Sequence, residues 1–201
     1  MSKKVVAIVG SYRKGNTVDS AVDAILDGAR LKGAETRKIY LLDQHIEFCT
    51  NCRTCTQTEG AIRGKCVQND DLDYILTEIE TADAIILGAP VNFFDVTALF
   101  RRFMERLVCY SYWPWGKSTL PSLRSKALAK TAVLVTSTAM PGFLIPVATG
   151  APRSLRTTAR VLGARPIGKL WIGLSAANPR QPLSERTRNR ARWMGHRLAS
   201  S

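Results

Sequence analysis

Four cysteines lie close together in the first half of the sequence, at a spacing suited to metal binding. Cys49, Cys52 and Cys55 form a C-x2-C-x2-C pattern, and Cys66 follows after ten further residues. Four thiolates can hold a [4Fe–4S] cluster, whereas zinc usually takes two separated C-x-x-C pairs. The ten-residue gap does not forbid a cluster, because each doubling of a loop costs only about 0.6 kcal/mol. The same gap leaves open that these are free thiols in a long loop.

A second group of polar residues, "GSYRKGNT" at positions 10–17, follows the first apolar run of the chain. Gly15 permits a tight turn, Arg13 or Lys14 supplies positive charge, and serine, asparagine and threonine add hydrogen-bonding groups. Unpaired N–H groups at the start of a helix attract anions, so we predict a phosphate loop here. The segment matches neither the Walker motif nor the dinucleotide G-x-G-x-x-G motif. The alternative is a polar turn in which Thr17 is the N-cap of the helix.

The loop after the third apolar run, "GAPVNFFDVTA", combines a proline with amide and aromatic side chains. A flat ring could rest on this ring loop, near Asn92, Phe93 and Phe94, with backbone hydrogen bonds along one edge. In the alternative interpretation, both phenylalanines cover the hydrophobic core. The loop after the fourth apolar run, "TSTAMPGF", offers Ser137 and Thr138 as a second wall.

Apolar runs rich in β-branched residues alternate with helical patterns along the chain. The predicted strands are 4–10, 36–42, 83–90, 130–138 and 165–173; the predicted helices are 17–32, 70–82, 98–110, about 153–162 and about 183–199. Continuous apolar strands separated by helices indicate a parallel sheet covered on both faces. Residues 43–69, the cysteine segment, show no periodicity and are predicted to form a long loop. We therefore expect one α/β domain over residues 1–201, with ligands beyond the carboxyl ends of the strands.

The charged residues are distributed unevenly. Residues 1–100 carry 11 basic and 14 acidic side chains, whereas residues 101–201 carry 18 basic and two acidic ones, for a net charge of +13. The basic half either forms a solvated surface or attracts an anionic partner, such as a nucleotide phosphate, a nucleic acid, a lipid surface or an acidic protein. No recognition helix, zinc finger or aromatic RNA motif accompanies it, so nucleic acid is disfavoured.

Two features of the sequence predict a cytoplasmic protein. The N-terminal "MSKKVVAIVGSY" has too short an apolar run for a secretory signal and is predicted to form the first strand. The five cysteines are clustered, with Cys109 apart, rather than spread in pairs as in a disulfide framework. No window has the roughly 18 apolar residues of a membrane span.

Four motifs in chain order resemble a known family. "GSYRKGNT", the run C-x2-C-x2-C…C-V-x-x-D-D, "ADAIILGAPV" and "ALFRRFMER" are similar to the flavodoxin-like NADPH-dependent FMN reductases, and most of all to their iron–sulfur flavoprotein branch. The resemblance spans about residues 4–137. It implies a flavodoxin-like three-layer sandwich, with a five-stranded parallel sheet and helices on both faces. It also implies bound FMN, NAD(P)H as electron donor, a [4Fe–4S] cluster on the four cysteines, and a homodimer or homotetramer.

The resemblance also implies roles for individual residues. The flavin phosphate would lie against Ser11, Arg13, Asn16, Thr17 and Val18, and the isoalloxazine beside Pro90, Val91, Asn92, Phe93 and Phe94. Many relatives have tyrosine directly after the proline; Val91 replaces it here, so one of the two phenylalanines would be the stacking partner. Because the flavin carries the chemistry, no catalytic side chains are needed, and His45 and His196 are predicted bystanders.

These implications favour an enzyme that transfers hydride from NAD(P)H through FMN to a quinone, a flavin or another small electrophile. One alternative is a one-electron carrier with FMN and a [4Fe–4S] cluster; another is a binding or regulatory protein with a degraded site. Five basic residues follow the ring loop where a dinucleotide or an anionic acceptor would approach: Arg101, Arg102, Arg106, Lys117 and Arg124. The segment "YSYWPWG" (110–116) is predicted to be a lid, a subunit contact or a cover over the preceding helix.

Overall fold

A five-stranded parallel sheet forms the centre of the computed structural model, which describes residues 2–116, 118, 120–178 and 181–200. In spatial order its strands are β2 (Glu35–Tyr40), β1 (Lys4–Val9), β3 (Ala84–Gly88), β8 (Lys130–Ser137) and β9 (Ala164–Ile172). All neighbouring strands pair in parallel. This order reverses direction between β1 and β3, which creates a crevice at their carboxyl ends.

Helices cover both faces of the sheet. One face packs against α1 (Thr17–Arg30) and α6 (Glu185–Ser200); the other packs against α2 (Leu72–Glu80), α3 (Ala98–Arg106) and α5 (Ala151–Val161), which follows the single turn α4 (Ile145–Ala148). Alternate residues of β1 enter the two cores, Val6 and Ile8 on one side and Val5, Ala7 and Val9 on the other. The predicted flavodoxin-like three-layer α/β fold is therefore confirmed.

Close contact between α1 and α6 depends on two glycines. A Cβ on Gly28 would lie 2.1 Å from the carbonyl oxygen of Arg192, and a Cβ on Gly195 would lie 1.9 Å from that of Ile25. The two helix backbones can touch because both positions lack side chains. Within the part of the chain that the structure describes, no helix is both long enough and apolar enough to cross a membrane.

Two short hairpins were not predicted from the sequence. The first, β4 (Val91–Asn92) with β5 (Asp95–Val96), lies within the ring loop, and the second joins β6 (Ser111–Tyr112) to β7 (Ser122–Leu123). The helix predicted at 98–110 ends at Arg106 and continues as a 3₁₀ turn over Leu107–Tyr110. The cysteine segment is irregular, as predicted, apart from 3₁₀ turns that include Thr54–Thr56.

Candidate functional site

A cavity of about 250 Å³ lies where the loops after β1, β3 and β8 converge, at the carboxyl edge of the sheet. We call it the loop cavity. Ten of the predicted site residues line it: Ser11, Arg13, Asn16, Thr17, Val18, Pro90, Val91, Asn92, Ser137 and Thr138. Its wall also includes Ala139, from the predicted "TSTAMPGF" loop, and Tyr12, Ser175 and Ala176, which the sequence analysis did not name as site residues. Ser175 and Ala176 follow β9, where no polar motif marked the sequence.

The phosphate loop leads from β1 into α1. The Ser11 hydroxyl accepts a hydrogen bond from the backbone N–H of Arg13 at 3.2 Å, which folds the start of the loop back on itself. Asn16, rather than Thr17, is the N-cap of α1, and its side chain makes no capping hydrogen bond. The first-turn N–H groups of a helix have no intrahelical partners and carry the positive end of its dipole. This side of the loop cavity is therefore suited to a phosphate.

The ring loop forms a strained hairpin turn beside the loop cavity. Phe93 and Phe94 have φ values of 43° and 66°, a left-handed conformation that bulky residues rarely adopt. The backbone N–H of Gly150 donates to the carbonyl oxygen of Phe94 at 2.7 Å, and Asp95 accepts from Arg101 and from Ser154. The two rings meet edge to face and point into solvent, 98% and 64% exposed. They do not line the loop cavity, whereas Val91 and Asn92 do.

Two of the five basic residues that follow the ring loop contact the cysteine segment. Arg106 is 2% exposed and donates to the carboxylate of Asp70 at 2.5 Å and to the carbonyl oxygen of Glu47 at 2.6 Å. Arg124 donates to backbone carbonyl oxygens of the cysteine segment, including that of Cys55 at 2.9 Å. Both arginines therefore have a role inside the fold that the sequence did not indicate.

The other three residues of that group differ in their surroundings. Arg101 is half-buried and pairs with Asp95 of the ring loop. Arg102 stacks over the ring of Phe48, 5.5 Å from its centroid. Lys117 lies outside the described residues.

The cysteine segment is fixed by an arginine between two tryptophans. The guanidinium of Arg53 lies 3.5 Å from the ring centroid of Trp113 and 3.8 Å from that of Trp115. It also donates to the carbonyl oxygen of Trp113 at 2.6 Å. Arg53 and Asn51 have φ values of 59° and 55°, so the chain bends sharply between the cysteines. The "YSYWPWG" segment therefore packs on the cysteine segment, a contact that the sequence did not predict.

The four thiols of the cysteine segment lie near one another without forming a metal-binding group. Burial raises the pKa of the Cys55 thiol, and negative charge on Cys66, Cys49 and Cys52 raises it further. Among the described residues, however, no three His, Cys, Asp or Glu side chains are placed to hold a metal ion. The donor chemistry suits an iron–sulfur group. None of the five cysteines forms a disulfide, so all four thiols of the segment are available as ligands.

The strand order and the loop cavity at the reversal of that order define a protein of the flavodoxin-like α/β class. The sequence matches the family described as NADPH-dependent FMN reductase over residues 3–178, and the chain belongs to that family. The family predicted from the sequence motifs is therefore confirmed.

Curated relatives support the predicted branch as well. An iron–sulfur flavoprotein of Archaeoglobus fulgidus is 36% identical over 111 residues, which are 55% of this chain and 48% of the relative. One of Methanocaldococcus jannaschii is 40% identical over 107 residues, 51% of each chain. The chain thus spans about half the length of the curated relatives it matches. An FMN-dependent NADH-azoreductase of Bacillus anthracis has the same fold, with a TM-score of 0.70 and 9% identity over 98% of this chain and 99% of that one.

Proposed function

We propose that this protein is an FMN-dependent oxidoreductase that takes hydride from NAD(P)H and passes it to a quinone, a flavin or another small electrophile. The observation that carries this proposal is the loop cavity, in which ten residues from three separate loops meet at one edge of the sheet. One side of it is the start of a helix, which suits a phosphate, and the other is a hairpin and a strand end. Membership of the FMN reductase family supports the same chemistry.

Each wall of the loop cavity has a separate task in this proposal. Ser11, Arg13, Asn16 and Thr17 bind the phosphate through side chains and backbone N–H groups. The ring loop and the residues at the end of β8 orient the flat ring by backbone hydrogen bonds. Bound FMN supplies the hydride-accepting chemistry, so the protein needs no catalytic side chain of its own.

The Thr17→Val variant tests the phosphate site, because it removes a buried hydroxyl while keeping the shape of the side chain. A lost hydrogen bond to a charged group costs about 1.5–3 kcal/mol, so we expect FMN binding to weaken by about tenfold or more. Quenching of flavin fluorescence measures the Kd. The control is Thr77→Val on α2, where the hydroxyl donates within its own helix at 2.9 Å.

Wild-type protein that stays colourless after incubation with FMN would contradict the proposal. If FMN binds, anaerobic stopped-flow mixing with NADPH and with NADH shows whether a pyridine nucleotide bleaches the flavin and which one is preferred. A flavin that neither nucleotide reduces would exclude the reductase function while leaving FMN binding intact.

A second candidate function, one-electron transfer with an additional iron–sulfur centre, is favoured by the proximity of the four thiols and by the names of the relatives. Cys49, Cys52, Cys55 and Cys66 would hold the cluster, after a rearrangement that brings the thiols together. Anaerobic reconstitution with iron and sulfide should add a broad visible absorbance that Cys52→Ser abolishes and Cys109→Ser retains. If reconstituted wild-type protein lacks this absorbance, the reductase remains as the only candidate.

We also propose that residues 1–201 form one domain that assembles into a homodimer or homotetramer in the cytoplasm. The exposed side chains of Phe93 and Phe94, in the hairpin beside the loop cavity, support a subunit contact there. Sedimentation equilibrium of the FMN-loaded protein measures the oligomeric state, and a monomer at all concentrations would contradict this proposal.

A further inference from the structure

A buried carboxylate lies directly against the phosphate loop. Asp19 is the third residue of α1, and its side chain is only 3% exposed. One of its oxygens accepts a hydrogen bond from the backbone N–H of Gly15 at 2.6 Å. Gly15 has a φ of 74°, so this bond holds the left-handed turn that immediately precedes Asn16 and Thr17. Asp19 therefore fixes the backbone of the loop that we propose for the flavin phosphate.

The negative charge of Asp19 conflicts with a phosphate site. A buried carboxylate beside the loop repels a phosphate dianion, and partial burial makes this repulsion stronger than in water. An acidic residue in the first turn also partly cancels the positive end of the helix dipole, which weakens the attraction of the helix N-terminus for a second anion. A cation in direct contact with Asp19 would offset this charge, in addition to the positive charge of Arg13 and Lys14 in the loop itself.

Lys38 of β2 supplies that cation. Its ammonium group lies 3.0 Å from one carboxylate oxygen of Asp19 and 2.5 Å from Asp23, whose side chain is about half exposed. The hydroxyl of Tyr40 donates to Asp19 at 2.8 Å, and the ring of Tyr40 lies 4.7 Å from the ammonium group of Lys38. Partial burial alone would lower the pKa of Lys38, but its hydrogen bonds with Asp23, Tyr40 and Asp19 outweigh burial and raise it. Lys38 therefore stays charged across the physiological range.

We propose that the Asp19–Lys38 pair determines the selectivity of this protein for phosphorylated over unphosphorylated flavin. Asp19 shapes the phosphate loop, and Lys38 neutralises the charge that would otherwise repel the phosphate. Neither residue lines the loop cavity, so both act as positioning residues through the loop backbone and its electrostatic field. The inference rests on the proposed function, in which the loop binds the phosphate of FMN.

The test compares the Kd of FMN with the Kd of riboflavin, which has the same ring and no phosphate. In Lys38→Met the negative charge of Asp19 is no longer offset, so the preference for FMN should fall by about tenfold while riboflavin affinity stays unchanged. In Asp19→Asn the amide oxygen still accepts from Gly15, and Lys38 stays paired with Asp23. The group of Asp19, Asp23 and Lys38 then carries one negative charge fewer, so the preference should rise above that of wild type. A purely structural role would weaken both flavins in both variants.

The double variant Asp19→Asn/Lys38→Met gives the sharpest readout. It restores the wild-type net charge of the group formed by positions 19, 23 and 38 and keeps an acceptor for the N–H of Gly15. Its preference for FMN should therefore return toward the wild-type value. Arg30→Met is the matched control, because it breaks an exposed 2.7 Å pair with Asp27 at the far end of α1. This control should leave the preference unchanged.

The outcomes separate this inference from the proposed function. A wild-type protein that binds riboflavin as tightly as FMN, or binds neither, overturns the phosphate site and with it the inference. A wild-type protein that prefers FMN, with the same preference in Lys38→Met and Asp19→Asn, overturns the inference alone. If Lys38→Met does not fold, Asp19→Asn still decides, since a preference that does not rise contradicts the electrostatic role.

Discussion

At the scale of single residues, the buried ion pair between Asp70 and Arg106 joins the cysteine segment to the core. Both side chains are 1% exposed, and Asp70 also accepts from the backbone N–H of Glu47 at 2.8 Å. Arg106 additionally donates to the sulfur of Cys66 at 3.4 Å. Because Arg106 reaches two parts of the cysteine segment, this pair fixes where Cys66 lies relative to α3.

The Asp70→Asn variant should be strongly destabilised. Removing one partner leaves the charge of Arg106 buried without compensation, which costs about 3–5 kcal/mol of unfolding free energy. Urea unfolding at neutral pH measures the loss. The control Asp27→Asn removes an exposed pair with Arg30 and should change stability by less than about 1 kcal/mol. Equal effects in the two variants would show that the pair contributes nothing beyond a surface contact.

The Asp70–Arg106 pair should also affect how the free energy of unfolding changes with pH in acid. Burial alone would raise the pKa of Asp70, but hydrogen bonds from Arg106 and from the backbone N–H groups of Glu47 and Leu72 outweigh burial and lower it. A lowered pKa in the folded state stabilises the fold above the unfolded value of about 3.9, and that contribution is lost as the pH falls through the folded-state pKa. The stability of Asp70→Asn should therefore depend less on pH below about 4 than that of wild type.

At the scale of secondary-structure elements, the sheet and the loop cavity were predictable because their signals are local. Continuous apolar runs such as that of β3 define central strands, and chain order then places the loops after β1, β3 and β8 at one edge. The glycine and polar residues of the phosphate loop mark its position without any knowledge of tertiary contacts.

Other features escaped prediction because they depend on partners far away in sequence. Arg53 stacks on tryptophans that lie 60 and 62 positions later, and Asp19 pairs with a lysine on the next strand. Neither contact is marked in the sequence by residues spaced at the period of a helix or a strand. The left-handed turn at Phe93 and Phe94 could not be predicted either. Phenylalanine rarely adopts a positive φ, and the surrounding hydrogen bonds hold the turn in place.

The cysteine segment should become more mobile when Arg53, which stacks on Trp113 and Trp115, is replaced. Arg53→Ala deletes two cation–π contacts, each worth about 0.5–2 kcal/mol, while the five-stranded sheet does not depend on them. We expect faster amide hydrogen exchange around residues 49–57 and unchanged protection in β1 and β3. Arg53→Gly separates the loss of the cation–π contacts from the backbone strain at position 53. Glycine adopts a positive φ without strain, so this variant should loosen the segment less than alanine does. Unchanged hydrogen exchange in both variants would show that Arg53 does not hold the cysteine segment in place.

At the scale of the whole molecule, the basic half of the sequence surrounds the sheet rather than forming a single patch. Arg153, Arg156 and Arg160 are exposed on α5, whereas the exposed arginines of α6, which include Arg186 and Arg190, lie on the opposite face. With a net charge of +13, the protein therefore presents positive potential on both sides of the sheet. Such a field attracts anionic nucleotides toward the molecule before any specific contact forms.

The rate at which NADPH reduces the bound flavin should accordingly fall with salt. The Debye length shortens from about 20 Å to about 7 Å between roughly 20 mM and 200 mM salt, so long-range attraction between the basic protein and the anionic nucleotide is screened. We expect the second-order rate constant, measured by stopped-flow bleaching, to fall on the order of tenfold. The first-order rate at saturating NADPH should stay constant, because screening acts on encounter rather than on hydride transfer. A second-order rate constant that does not change with salt would mean that the basic surface takes no part in nucleotide capture.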